Sequence, residues 1–218
     1  AAAGLTRQNW KSAVFIVLLF VGIYIVRTVV SMAGQGVFDG NGMQYVKEWA
    51  AMFKDPVMWL NIVALPINYF FVFIAFFGEE YGWRYYLQPI LQKKFGLRAG
   101  VIVLGVVWGL WHIPDDLFYY TQTSGIQMIF AQQITCIALG IFFAYAYMKT
   151  KNIWVPVCLH YLNNNLIPII SGTFSADVLE NQTVSWKELP AALVLNGLCF
   201  GFFLLADVFK KKEVQKED

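Results

Sequence analysis

The chain has 218 residues, 58% of them hydrophobic and 14% charged, with a formal net charge of +2 and a mean hydropathy of +0.54. A water-soluble domain of this length needs far less apolar surface, so the chain reads as an all-α, polytopic membrane protein. The small positive balance gives no ground for a nucleic-acid partner, because the basic residues are spread along the chain where a membrane's inner face would be.

Taken in chain order, runs of about 20 apolar residues extend from Ala13 to Ala33, Val57 to Phe77, Ala99 to Tyr120, Ile126 to Met148, Ile153 to Gly172 and Leu189 to Phe209. Each is expected to be a helix, since lipid cannot satisfy a broken backbone, which makes about six transmembrane helices in a single domain over 1–218. The chain opens on Ala1 rather than Met, which leaves room for a further helix upstream. The first run has no small-residue cleavage site and is read as a retained helix, not a signal peptide. The longest outer connection is expected from Gly34 to Pro56 and the next from Ser171 to Pro190.

Of the 16 basic residues, twelve fall on one side of these spans: Arg7, Lys11, Arg84, Lys93, Lys94, Arg98, Lys149, Lys151, Lys210, Lys211, Lys212 and Lys216. Lys47, Lys54 and Lys187 fall on the other, and Arg27 sits within the first span. The asymmetry predicts cytoplasmic termini at both ends, and the short loops with no organelle signal point to an integral protein of a bacterial plasma membrane. Cys136, Cys158 and Cys199 all lie in apolar runs and read as reduced core residues. The small-xxx-small pairs Gly105 with Gly109 and Gly197 with Gly201 are expected to pack helices of the same chain.

Three short stretches, all in a core at about 57–172, carry ionisable or amide groups at membrane depth, where such groups are costly. In the first, Glu80 and Arg84 are four apart with the acid on the N-terminal side, the favourable order for a helical pair. Glu79 is rotated by about 100° and is left without a local partner. In the second, Trp108 and His112 share a helix face, and Pro114 loosens the backbone beyond them. Counted from Lys93 and from Arg98, Glu79 and His112 each lie about 14 residues in, roughly 20 Å of helix. In the third, His160 and Asn164 are four apart, within a cluster that includes Asn163 and Asn165. Three helices delivering polar groups to a similar depth predict a shared site.

This order of motifs, a glutamate pair with arginine, an aromatic four residues before histidine, and histidine with asparagine four on, resembles the CPBP family. That family comprises the CAAX-processing and bacteriocin-processing intramembrane endopeptidases, also described as abortive-infection proteins. The likeness covers roughly Phe76 to Pro168; its one departure is Trp108, where the family pattern is often written with phenylalanine. It implies a membrane-embedded peptidase open to the cytoplasm, taking a peptide or lipidated-protein substrate from a lipid surrounding. It further implies that Glu79 activates a water with help from His112, that His160 and Asn164 polarise the scissile carbonyl, and that Glu80 and Arg84 hold their helix in shape. Physically, peptide hydrolysis needs a base beside the water and donors where negative charge develops.

No cofactor is expected, although Glu79, His112 and His160 form a two-histidine, one-carboxylate set that zinc would accept. No Gly-x-Ser-x-Gly occurs, and no cysteine reads as a nucleophile. The alternatives to a peptidase are a non-catalytic scaffold or bacteriocin immunity protein and, less favoured, a two-histidine haem electron carrier.

Overall fold

A computed structural model of the protein describes residues 9–173 and 175–210. Arg7, Lys211, Lys212 and Lys216, four of the basic residues assigned to the inner face, lie outside the described residues. Among the described residues every regular element is helical: α1 (Trp10–Asp39), α2 (Gly42–Met52), α3 (Pro56–Glu80), a π-helical stretch (Tyr81–Leu87), α4 (Gln88–Phe95), α5 (Leu97–Trp111), α6 (Ile113–Phe118), α7 (Gly125–Thr150), α8 (Trp154–Ser171), α9 (Ala176–Glu180) and α10 (Leu189–Cys199). Two short 3₁₀ turns, Gly201–Leu205 and Asp207–Phe209, complete the described residues.

Among the described residues four of the six expected spans are matched by helices long and apolar enough to cross a membrane: Trp10–Gly34, Pro56–Phe95, Leu97–Phe118 and Gly125–Thr150. The fifth run does form a helix, α8, of 18 residues. Its polar centre at Asn163, Asn164 and Asn165 makes it less apolar than the other four. The sixth run forms only the 11-residue α10 before tightening into 3₁₀ turns, so it is helical but short. The expected outer connection from Gly34 to Pro56 is also mostly helix, because α1 continues to Asp39 and α2 follows.

Local chemistry explains the boundaries. Asp55 caps α3, its carboxylate accepting from the Val57 amide at 2.9 Å, with Pro56 in the first turn where no amide is needed. Gly96, at φ +89°, makes the turn between α4 and α5 that an L side chain would strain.

The core is built around α7, whose residues from Cys136 to Ala146 are almost all buried. α5 lies against it backbone to backbone: a Cβ on Gly105 would meet the Ile137 Cα at 2.6 Å, and one on Gly140 would meet the Gly105 Cα at 3.4 Å. Gly109 likewise gives its space to the Gln133 side chain. These glycines pack within the chain, as their spacing predicts, whereas a Cβ on Gly197 would meet open space. On the other side of α7 the rings of Phe20, Phe142 and Phe200 pack together, with centroids 5.6–5.8 Å apart. This joins α1 and the end of α10 to the centre. The outer face of α3, with Val63, Ile67, Phe70, Phe71 and Ile74, is exposed, which suits a lipid surrounding.

Candidate active site

The 40 residues of Pro56–Phe95 run as one helical rod, longer than a bilayer's apolar thickness requires. Its irregularity comes where the charged groups are: the backbone widens to π-helix directly after Glu80. Such wide turns are commonly found at functional sites. Glu80, Arg84 and Gln88, four apart, are all fully buried on its inner side.

Glu80 has both oxygens occupied. Oε2 accepts from Arg84 Nε at 2.8 Å, and Oε1 lies 3.0 Å from His160 Nδ1 on α8. The expected helical pair is therefore present, and a histidine 80 residues away completes it. Arg84 also donates from Nη1 to the Gly140 carbonyl at 3.1 Å. Its guanidinium carbon lies 5.4 Å from the Trp108 ring and 5.6 Å from that of Phe143. A charge out of contact with water is costly unless paired, and here the carboxylate, a carbonyl and two aromatic faces surround it.

Trp108 is the junction of the site. Its ring lies 5.4 Å from His160 and 5.8 Å from His112, edge-on to both. His160 is further enclosed by the rings of Phe76 at 5.2 Å and Phe143 at 6.1 Å. The motifs of all three helices thus meet within one aromatic enclosure.

His112 sits at the break between α5 and α6, where Pro114 has no amide to continue the helical ladder. Its Nδ1 is 2.9 Å from the Trp108 carbonyl. A carbonyl only accepts, so Nδ1 carries the proton and Nε2 keeps the lone pair in the neutral ring. Cys136 Sγ lies 3.8 Å from the same Nδ1. A nitrogen already protonated and donating cannot draw the thiol's proton, so this close Cys–His approach is not a nucleophile and its base. The same logic holds for His160, whose Nδ1–H donates to Glu80 and leaves Nε2 as its second functional atom.

Glu79 is half-buried rather than enclosed, and its carboxylate makes no hydrogen bond or ion pair among the described residues. Asn164 lies one turn beyond His160 with its side chain exposed, and its Oδ1 accepts from Asn163 Nδ2 at 2.9 Å. The structure therefore joins Glu80, Arg84, Trp108 and His160 directly and brings His112 to them through Trp108. Glu79 and Asn164 stand at the margin, without a hydrogen bond or ion pair to that group among the described residues. Sequence reasoning missed Phe143, Phe76 and the Gly140 carbonyl. Nothing in their local pattern distinguishes them from other apolar positions of α7 and α3. Among the described residues no three His, Cys, Asp or Glu side chains converge at a spacing that would hold a metal ion.

Residues 59–166 match the family model described as Type II CAAX prenyl endopeptidase Rce1-like. That stretch contains all three motifs, from Glu79 to Asn164. The chain is 27% identical over 140 residues to CAAX prenyl protease 2 of Methanococcus maripaludis, covering 60% of this chain and 49% of that protein. It is 25% identical over 118 residues to a Bacillus subtilis protein described as membrane peptidase YdiL, covering 54% of this chain and 42% of the relative. The chain spans about half the length of the curated relatives it matches. No solved structure matches it.

Proposed function

The chain belongs to the Rce1-like CAAX prenyl endopeptidase family, and on that premise we propose that it is an intramembrane endopeptidase whose base is Glu79. One observation carries this reading: of the two adjacent acids, Glu80 has both oxygens engaged by Arg84 and His160, while Glu79 has neither engaged among the described residues. A carboxylate locked on both oxygens orients its neighbours. A free one can take a proton.

In this reading Glu79 accepts a proton from water as the water oxygen bonds to the scissile carbonyl carbon, with the His112 Nε2 lone pair helping to hold that water. The oxyanion so formed accepts hydrogen bonds from Asn164 Nδ2–H and from Nε2–H of a doubly protonated His160. Glu80 is placed to balance the charge of that ring, and Arg84 holds Glu80. As the carbon–nitrogen bond breaks, the proton taken by Glu79 passes to the departing nitrogen, leaving a new carboxyl terminus and a free amine. No metal takes part in this scheme, and the substrate is a peptide or lipidated protein arriving from the cytoplasmic side of a bacterial plasma membrane.

The orientation is supported by where the described basic residues gather. Arg98 and Lys210 line one cavity of about 480 Å³ with Phe95. Gln92, one residue before the Lys93–Lys94 pair, donates to the Met148 sulfur at 3.3 Å, and Asn9 donates to the Thr150 carbonyl at 3.2 Å. Lys11, Lys93, Lys94, Arg98, Lys149 and Lys210 therefore collect at one end of the bundle, the end expected to face the cytoplasm with both termini.

The test is cleavage of quenched fluorescent peptides, prenylated and unprenylated, by purified protein and its Glu79→Gln variant, with and without a chelator. Cleavage by wild type that Glu79→Gln abolishes and chelator leaves intact supports the proposal. Chelator-sensitive cleavage would replace the metal-free scheme with a metal-bound water. Full activity in Glu79→Gln would remove Glu79 from the chemistry.

A further inference from the structure

Two of the spans meet at a basic cavity. Pro56–Phe95 ends and Leu97–Phe118 begins at the turn made by Gly96, so this turn lies where apolar helix gives way to the headgroup layer. Beside it a cavity of about 480 Å³ is lined by Phe95, Gly96, Arg98, Phe209 and Lys210. That volume falls within the range of about 300–1,000 Å³ that small-molecule sites occupy.

The walls of this cavity are fixed while its charges are free. Phe209 is buried against Val101, Ile141 and Ala144, which holds the segment carrying Lys210 on the bundle. α4 and α5 touch backbone to backbone at the turn: a Cβ on Gly100 would meet the Gln92 amide nitrogen at 2.5 Å, and Gln92 Nε2 donates to the Leu97 carbonyl at 3.0 Å. Arg98, by contrast, is exposed, and its side chain makes no ion pair or hydrogen bond among the described residues. Lys210 Nζ pairs with Asp207 at 2.7 Å, but both side chains are exposed, and such a pair contributes little. Lys94 Nζ stands 5.2 Å from the Phe95 ring at the rim, and Lys149 acts electrostatically on Asp207. Cations from α4, α5, α7 and the last 3₁₀ turn thus converge on one opening.

Basic pockets at the headgroup level of a helix bundle attract anionic lipid. We infer that this cavity binds the phosphate of one anionic phospholipid, held between Arg98 and Lys210. The planar guanidinium takes two phosphate oxygens at once, and the ammonium adds a second, compact charge. Ile102, one turn further along α5 on the Arg98 side, is exposed where an acyl chain leaving the cavity runs toward the bilayer centre. That apolar continuation suits a lipid and offers nothing to a free anion. No residue of the catalytic scheme lines the cavity, so the lipid is held whether or not peptide is cleaved.

The test titrates the full chain in detergent with phosphatidylglycerol and, separately, with phosphatidylcholine, and counts retained lipid by native mass spectrometry. Wild type is expected to retain one phosphatidylglycerol and to favour it about 25-fold, since each basic residue at a headgroup contributes about fivefold. Arg98→Gln combined with Lys210→Gln should bring that preference within about threefold. Lys11→Gln combined with Lys93→Gln removes the same charge from the same end without touching the cavity, and should leave the preference intact. All four side chains are exposed, so both double variants are expected to melt with wild type in lipid-free detergent. A rise in melting temperature with phosphatidylglycerol that wild type shows and the cavity variant lacks gives a second reading of the same site. Equal retention of the two lipids by wild type would overturn the inference. So would an equal loss in the Lys11 and Lys93 variant, which would assign the binding to diffuse surface charge. Displacement of the lipid by millimolar inorganic phosphate, but not by sodium chloride of equal ionic strength, would make the cavity a free-anion site and likewise refute the lipid.

Discussion

Glu80 Oε1 lies 3.0 Å from His160 Nδ1 while Glu80 Oε2 holds Arg84 Nε at 2.8 Å, so one buried carboxylate joins the π-helical turn to α8. Removing the carboxylate leaves the Arg84 guanidinium buried with no anion beside it among the described residues, a change that costs about 3–5 kcal/mol, whereas removing Arg84 leaves Glu80 still held by His160. Glu80→Gln is therefore expected to lower the melting temperature in detergent sharply, and Arg84→Met to lower it by a smaller but clear amount. A thermal melt of the two variants beside wild type checks this, and unchanged melts would show that the pair carries no structural weight.

Glu79→Gln should behave in the opposite way. Its carboxylate has no hydrogen bond among the described residues to lose, so the melting temperature is expected to stay within about 2 °C of wild type, the shift that well under 1 kcal/mol produces. Activity is expected to fall by about 10²-fold or more, the usual contribution of a positioned base. Measuring both quantities on each glutamate variant separates the acid that orients from the acid that reacts.

Trp108 carries two roles that can be divided by substitution. The acceptor for His112 is its backbone carbonyl, which any residue retains, while the ring fills the space between Arg84, His112 and His160. Trp108→Phe is expected to keep activity within a few-fold. Trp108→Ala should destabilise by about 3–5 kcal/mol through the cavity it opens. An alanine variant as stable as the phenylalanine one would refute the enclosure as the organising element.

Cys136 touches His112, yet the protonated Nδ1 cannot activate it. Cys136→Ala is expected to cleave peptide within about threefold of wild type, because no step of the proposed scheme uses the thiol. Loss of activity in this variant, with the melt preserved, would reopen a thiol mechanism.

The backbone contact of α5 with α7 predicts a sharp contrast between glycines. Gly105→Ala places a methyl 2.6 Å from the Ile137 Cα, where backbone must move, and should cost about 1–3 kcal/mol as overpacking does. Gly197→Ala meets open space and should be neutral or slightly stabilising, since alanine favours helix. Melts of the two variants decide the matter.

The sequence by itself determined the features that depend on composition and short spacing. Apolar runs announced helices in a membrane, because lipid permits little else for an unbroken backbone. Four-residue intervals announced the Glu80–Arg84 pair and the Trp108–His112 contact, because one helical turn brings such positions together whatever surrounds them. Tertiary structure decided the rest. That Glu80 belongs as much to His160 as to Arg84, and that Trp108 rather than a charged residue joins the three motifs, both depend on contacts between distant segments. The helical period says which residues share a face of one helix. Which face meets which neighbour, and at what depth, follows only from close packing around α7, where Gly105 and Gly140 let two backbones approach.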